Sequence, residues 1–130
     1  MSPFSDNFQV TNTTKGKLPR LPFLQMKNAV LGKKYSLSLV FTDNKLSRKL
    51  NLKFRNKNKP ANILSFALEK NLGEIFLDLT QVRCEAPEFE RSYTNFAAFL
   101  FIHGLMHLKG FVHSSKMEDE EKKIRSKFGV

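Results

Sequence analysis

Apolar and polar positions change period several times along this chain, and the changes mark out its elements. Tyr35, Leu37, Leu39 and Phe41 alternate with Ser36, Ser38 and Val40, the period-two pattern of a strand buried mainly on one face. Before it, Phe8 to Thr11 predicts a short first strand, and Pro22 to Leu31 predicts a helix closed by Gly32. After it, Asp43 caps a helix carrying Leu46, Leu50 and Phe54, which the basic, polar stretch Asn56 to Pro60 ends. Ile63 to Leu68 and Glu74 to Leu79 predict two more strands, joined as a hairpin across Asn71 to Gly73. Beyond Thr80 the period turns helical, with a short piece to about Ala86, a long helix from about Phe89 to Lys109, and a charged helix from about Ser114. In that last helix, Met117 to Phe128 places acidic residues early and basic ones late, as the helix dipole favours, and it reads as a solvated helix.

The apolar run from Phe96 to Leu108 is 13 residues long, well short of the ~20 that cross a bilayer, so it is read as a buried core helix. At 130 residues the chain is expected to form a single domain over 1–130, with aromatic volume supplied by 13 Phe and no Trp. The lone Cys84 cannot close an intramolecular disulfide and is expected to be a small buried hydrophobe rather than a metal ligand. With no basic segment leading into an apolar stretch at the start, a cytoplasmic location is expected.

All three histidines fall within HGLMHLKGFVH, as His103, His107 and His113. On a helix, His103 and His107 share a face one turn apart, so their imidazoles can converge on one ion. Gly110 can take the left-handed conformation that ends the helix and lets the chain turn His113 back toward the other two. Three histidines leave one coordination position open, the arrangement of catalytic rather than structural zinc sites. A chance H-x-x-x-H pair of hydrogen-bonded core histidines is the plain alternative; the third histidine at a helix-ending distance and the lack of any other in the chain favour a metal site. Where H-E-x-x-H peptidases carry a glutamate as general base, this chain has Gly104, which disfavours that class. No carboxylate on this helix is placed to accept the proton of a bound water.

Charge is lopsided. Residues 1–60 hold 13 Lys and Arg against 2 Asp, whereas residues 61–130 hold 9 against 10 acidic residues. Such asymmetry suits an anionic partner, nucleic acid first, with a solvated lysine-rich surface as the alternative.

KFRNKNKPANILSFALE, LGEIFLDL and HGLMHLKGFVH, in that order, resemble the YbeY family of metal-dependent bacterial endoribonucleases, whose signatures read roughly Y-R-x-K-D-x-P-T-D/N-V-L-S-F-P, L-G-D-I and H-G-x-L-H-L-x-G-Y-D-H. The resemblance runs from about Leu37 to the C-terminus. It implies a single α+β domain with a small, mostly parallel mixed four-stranded sheet packed by helices. It further implies one zinc ion per chain on three histidines, and cleavage of single-stranded RNA in ribosomal RNA maturation, at the 16S rRNA 3′ end, and in ribosome quality control. The implied partners are single-stranded RNA and the ribosomal subunit or its proteins, and no membrane.

Carried over by position, His103, His107 and His113 are the zinc ligands and Arg55 is the family's functional arginine. A guanidinium beside a metal suits phosphodiester cleavage, because charge grows on the non-bridging oxygens in the transition state. Arg55, Lys57, Lys59 and Ser65 are the expected RNA-binding residues, with Ser65 and Phe66 on a strand lining the cleft. The chain departs from the pattern at Val112, where the family has the aspartate preceding the third histidine, at Ala61 and Ala67, and at Phe111 for tyrosine. Val112 removes a carboxylate that could orient a ligand or take a proton. Two rivals to a ribonuclease remain: a non-catalytic, metal-bearing ribosome assembly factor, and a different metal-dependent hydrolase.

Overall fold

The computed structural model describes residues 7–130. Four strands form one sheet: β1 (Phe8–Asn12), β2 (Ser36–Thr42), β3 (Ile63–Glu69) and β4 (Leu72–Asp78). Their order is β1-β2-β4-β3, with β1 and β4 parallel to β2 and β3 antiparallel to β4, so the sheet is mixed and mostly parallel. Among the described residues the helices are α1 (Phe23–Leu31), α2 (Asn44–Arg55), α3 (Leu79–Glu85), α4 (Tyr93–Lys109) and α5 (Ser115–Phe128). The α+β architecture expected from the resemblance is the one observed.

Alternation along the strands assigns the two faces. Ile63, Ser65 and Ile75 lie against Gly104 of α4. On the other face, Phe66 and Phe76 are neighbours, Phe66 meets Phe54 of α2, and Asp78 accepts a hydrogen bond from Ser47 of α2 at 2.6 Å. Most of the core sits under α4: Leu37, Leu39, Phe41, Ile75 and Leu77 pack against Phe96, Phe101, Ile102 and Leu105, all 2 % exposed or less. Phe23 from α1 closes this layer, its ring edge-on to Phe41 at 5.5 Å and to Phe101 at 5.0 Å. Burial of this apolar surface is the main force holding α4 in place.

Several expectations shift by a few residues, for identifiable reasons. The hairpin turns at Lys70–Asn71, and Gly73 lies inside β4, where a Cβ would meet the Tyr35 hydroxyl and approach Leu108 Cδ2 and the Phe66 carbonyl, each at 3.1 Å. Gly73 therefore answers a packing need, not a turn. Asp78 caps α3, accepting from the Gln81 amide at 3.0 Å, so Leu79 starts a helix instead of ending a strand. The long helix starts at Tyr93, not near Phe89, because Glu90 takes a left-handed φ of 54° and Ser92 then caps the new helix through the Asn95 amide. Cys84, expected buried, is exposed on α3.

Candidate metal centre and cleft

Gly110 makes the histidine site possible. Its φ of 109° ends α4 in a left-handed cap, with the Gly110 amide donating to the His107 carbonyl and the Phe111 amide to the Met106 carbonyl. This is a Schellman motif, and it reverses the chain within three residues. His113 is delivered beside His103 and His107, the ring centroids lying 4.6, 5.3 and 4.7 Å apart pairwise. Ser114 then immediately caps α5, its hydroxyl accepting from the Met117 amide at 3.2 Å, which anchors the segment that carries His113.

One candidate ligand atom from each histidine lies within 4.8 Å of the others, and the Nε2 atoms of His103 and His107 are 3.0 Å apart. Nitrogens bound to one tetrahedral zinc at ~2.0–2.1 Å stand about 3.3 Å from each other, so the spacing suits a shared ion. The far nitrogens support the same conclusion. His107 Nδ1 faces the Phe111 carbonyl at 3.3 Å and His103 Nδ1 faces the Glu121 carboxylate at 2.6 Å. Both partners accept, and a proton on each Nδ1 satisfies them and leaves the two Nε2 lone pairs directed at each other. Burial, reinforced by the neighbouring His103 and His113, holds the His107 pKa below the ordinary imidazole value and disfavours relieving that repulsion by protonation. A cation between the nitrogens relieves it. The donor set therefore fits a metal ion.

Glu121 was missed in the sequence, where its helix reads as solvated. It is 5 % exposed, and its second carboxylate oxygen accepts from Arg125 Nη1 at 3.1 Å. A detectable signal exists: Met117, Ile124 and Phe128 form an apolar stripe on α5 that packs against the core, and Glu121 sits within that stripe. The carboxylate lies on the side of the His103 ring away from Nε2. Its chemistry is therefore to fix the ring and its tautomer, as in carboxylate–histidine–metal arrangements.

The histidines open into a cleft of about 930 Å³ whose lining includes Arg55, Ser65, Phe66 and Glu121. Arg55 is the last residue of α2, and Asn56 follows it with a left-handed φ of 55°. Asn51, 2 % exposed, pins the next loop by donating to the Lys59 carbonyl at 2.8 Å. Lys57 and Lys59 are exposed on that loop and do not line the cleft. Ser65 faces α4, where a Cβ on Gly104 would stand 2.8 Å from its hydroxyl and 2.7 Å from Ile63 Cδ1. Gly104 thus permits α4 to approach the sheet closely, and no larger residue fits there without movement. Val112 is 74 % exposed, and its apolar side chain supplies no carboxylate where the family pattern has one.

The family model described as Endoribonuclease YbeY matches residues 7–129. The chain belongs to the YbeY family. The Endoribonuclease YbeY of Ehrlichia ruminantium (strain Welgevonden) is 34 % identical over 131 residues, covering 93 % of this chain and 79 % of that protein. That of Bacillus mycoides is 29 % identical over 126 residues, covering 82 % and 80 % respectively. A solution structure of a Thermotoga maritima protein has the same fold, with a TM-score of 0.67 at 23 % identity over 94 % of this chain and 89 % of that one. YbeY membership agrees with the enzyme class expected from the histidine block. Among the described residues, no helix is long and apolar enough to cross a membrane.

Proposed function

We propose that this chain is a zinc-dependent, single-strand-specific endoribonuclease acting in ribosomal RNA maturation, at the 3′ end of 16S rRNA, and in ribosome quality control. Its partners in this reading are single-stranded RNA and the ribosomal subunit, in the cytoplasm. The observation that supports it most is the convergence of His103, His107 and His113 in a cleft that also contains Arg55.

His103, His107 and His113 would hold the zinc, which would supply a Lewis acid able to lower the pKa of water or polarise a phosphoryl oxygen. The protein's own residues do the rest. Arg55 presents a planar fork of donors to the non-bridging oxygens, where negative charge grows during phosphodiester cleavage. Ser65 offers a hydroxyl to the substrate from the cleft lining. Lys57 and Lys59, outside the cleft on the adjoining loop, meet phosphates further along the strand. Glu121 keeps the His103 ring in place. With Val112 in place of an aspartate, residue 112 cannot carry the nucleophile's proton. Product ends report the nucleophile: a 2′,3′-cyclic phosphate marks attack by the substrate's 2′-hydroxyl, and a 3′-hydroxyl with a 5′-phosphate marks attack by water.

The missing carboxylate at Val112 is also what a non-catalytic assembly factor with the same fold would display. Cleavage of an end-labelled single-stranded RNA by the parent and by identically prepared His107→Ala decides between them. Cleavage by the parent alone supports the ribonuclease; equal or absent cleavage overturns it in favour of the assembly factor.

A further inference from the structure

Phe54 is more than half exposed near the end of α2, a helix on which only Ser47 and Asn51 are buried. It is 56 % exposed, and its ring lies 5.2 Å from that of Phe66 on β3, which in turn lies 5.9 Å from Phe76 on β4. The three rings form a ladder across the α2 face of the sheet. Phe66, on the face of β3 turned away from α4, is also among the residues that line the histidine cleft at this edge of the sheet. β3 is an edge strand, which leaves the outer end of the ladder uncovered by a neighbouring strand.

The surroundings of Phe54 are cationic. Lys53 Nζ lies 5.3 Å from its ring centroid, Arg55 follows it in sequence and lines the cleft, and Lys57 and Lys59 are exposed on the next loop. Glu74, which pairs with Phe66 across the sheet, is not among the residues lining the cleft. An exposed aromatic ring set in basic residues, next in sequence to an arginine that lines a site for phosphodiester chemistry, is complementary to one ligand class: a nucleic acid with unpaired bases. Every base has a π-face that can stack on such a ring, while lysines and arginines track the backbone phosphates.

We propose that Phe54 and Phe66 form a stacking platform for an unpaired nucleobase adjacent to the scissile phosphate, with Arg55 holding that phosphate between the platform and the histidines. The proposal rests on the ribonuclease reading and deepens it, because it supplies a physical basis for single-strand preference. A base inside a duplex is already stacked on its neighbours and has no free face to offer.

The test is binding of the zinc-loaded protein to two fluorescein-labelled, unstructured RNA strands of equal length, followed by anisotropy. One strand carries all its bases and the other has a central run of abasic nucleotides. Phe54→Ala should weaken binding of the complete strand by roughly 5- to 150-fold, the range for loss of one stacked base. It should leave binding of the abasic strand unchanged, and Phe54→Tyr should restore the parent's affinity. Equal weakening on both strands overturns the platform, since a general structural defect does not depend on bases. So does an unchanged affinity for the complete strand. If the parent binds neither strand, the ribonuclease reading itself fails and the platform with it. If the parent binds RNA and Phe54→Ala binds it equally well, the platform alone fails.

Discussion

Replacing Glu121 tests whether a carboxylate on the last helix holds a metal ligand in place. Glu121 is 5 % exposed and bridges His103 Nδ1 at 2.6 Å and Arg125 Nη1 at 3.1 Å. In Glu121→Ala, His103 loses the acceptor that fixes its tautomer, and Arg125, with a side chain only 13 % exposed, loses its ion-pair partner. Removing such an outer partner of a histidine ligand costs about 10- to 100-fold in metal affinity, equivalent to roughly 1.4–2.7 kcal/mol. Glu121→Gln keeps a carbonyl acceptor for His103 and loses only the charge, so its affinity should fall between those of the parent and the alanine variant. Competition against a chromophoric zinc chelator measures each dissociation constant, and the melting temperature of the metal-free proteins reports the structural cost separately. An alanine variant that melts earlier without metal yet binds zinc as tightly as the parent would refute the positioning role.

Other residues give independent checks. Gly104→Ala places a Cβ 2.7 Å from Ile63 Cδ1 and 2.8 Å from Ser65 Oγ; overpacking costs about 1–3 kcal/mol against the roughly 1 kcal/mol alanine gains over glycine inside a helix, so calorimetry should show an unchanged or lowered Tm, and a raised Tm contradicts the close packing. Arg55→Ala should slow RNA cleavage by about 10²–10³-fold, the scale for losing a preorganised donor to transition-state charge, while zinc content by mass spectrometry stays the same; loss of zinc would contradict its assigned role. Burial raises the Asp78 pKa, the Ser47 hydroxyl and the Gln81 amide opposing it. The folded state therefore favours the protonated carboxyl: its contribution is full below the ordinary carboxylate range and is lost as pH rises through the raised folded value. Urea titrations across that range should show parent stability falling relative to Asp78→Asn as pH rises, and a parallel pH dependence in the two proteins would exclude Asp78 as the cause.

The histidine site was legible because its geometry is local. Two ligands one helical turn apart, a glycine that can adopt positive φ, and a third histidine three residues later are all set by short-range backbone rules. The alternation of β2 and the apolar run of α4 likewise carry their burial in their period. What sequence could not display was contact between distant segments. Gly73 suggested a turn, but the Tyr35 hydroxyl and Leu108, far away in the chain, demand a glycine inside a strand. Glu121 looked like one more charge on a solvated helix, because nothing in its neighbourhood reveals that α5 docks with that face on His103. Arg55 and Ser65 were placed by resemblance. The structure brings both into the histidine cleft, and leaves Lys57 and Lys59 outside its lining.

The most direct measurement of the central claim is RNA cleavage by protein stripped of metal with a chelator and then titrated with zinc, His107→Ala being carried through the same steps. The account predicts no cleavage after stripping, recovery that saturates at one zinc per chain, and no recovery in the variant. Cleavage that persists in the stripped parent, or that returns equally in His107→Ala, would contradict it.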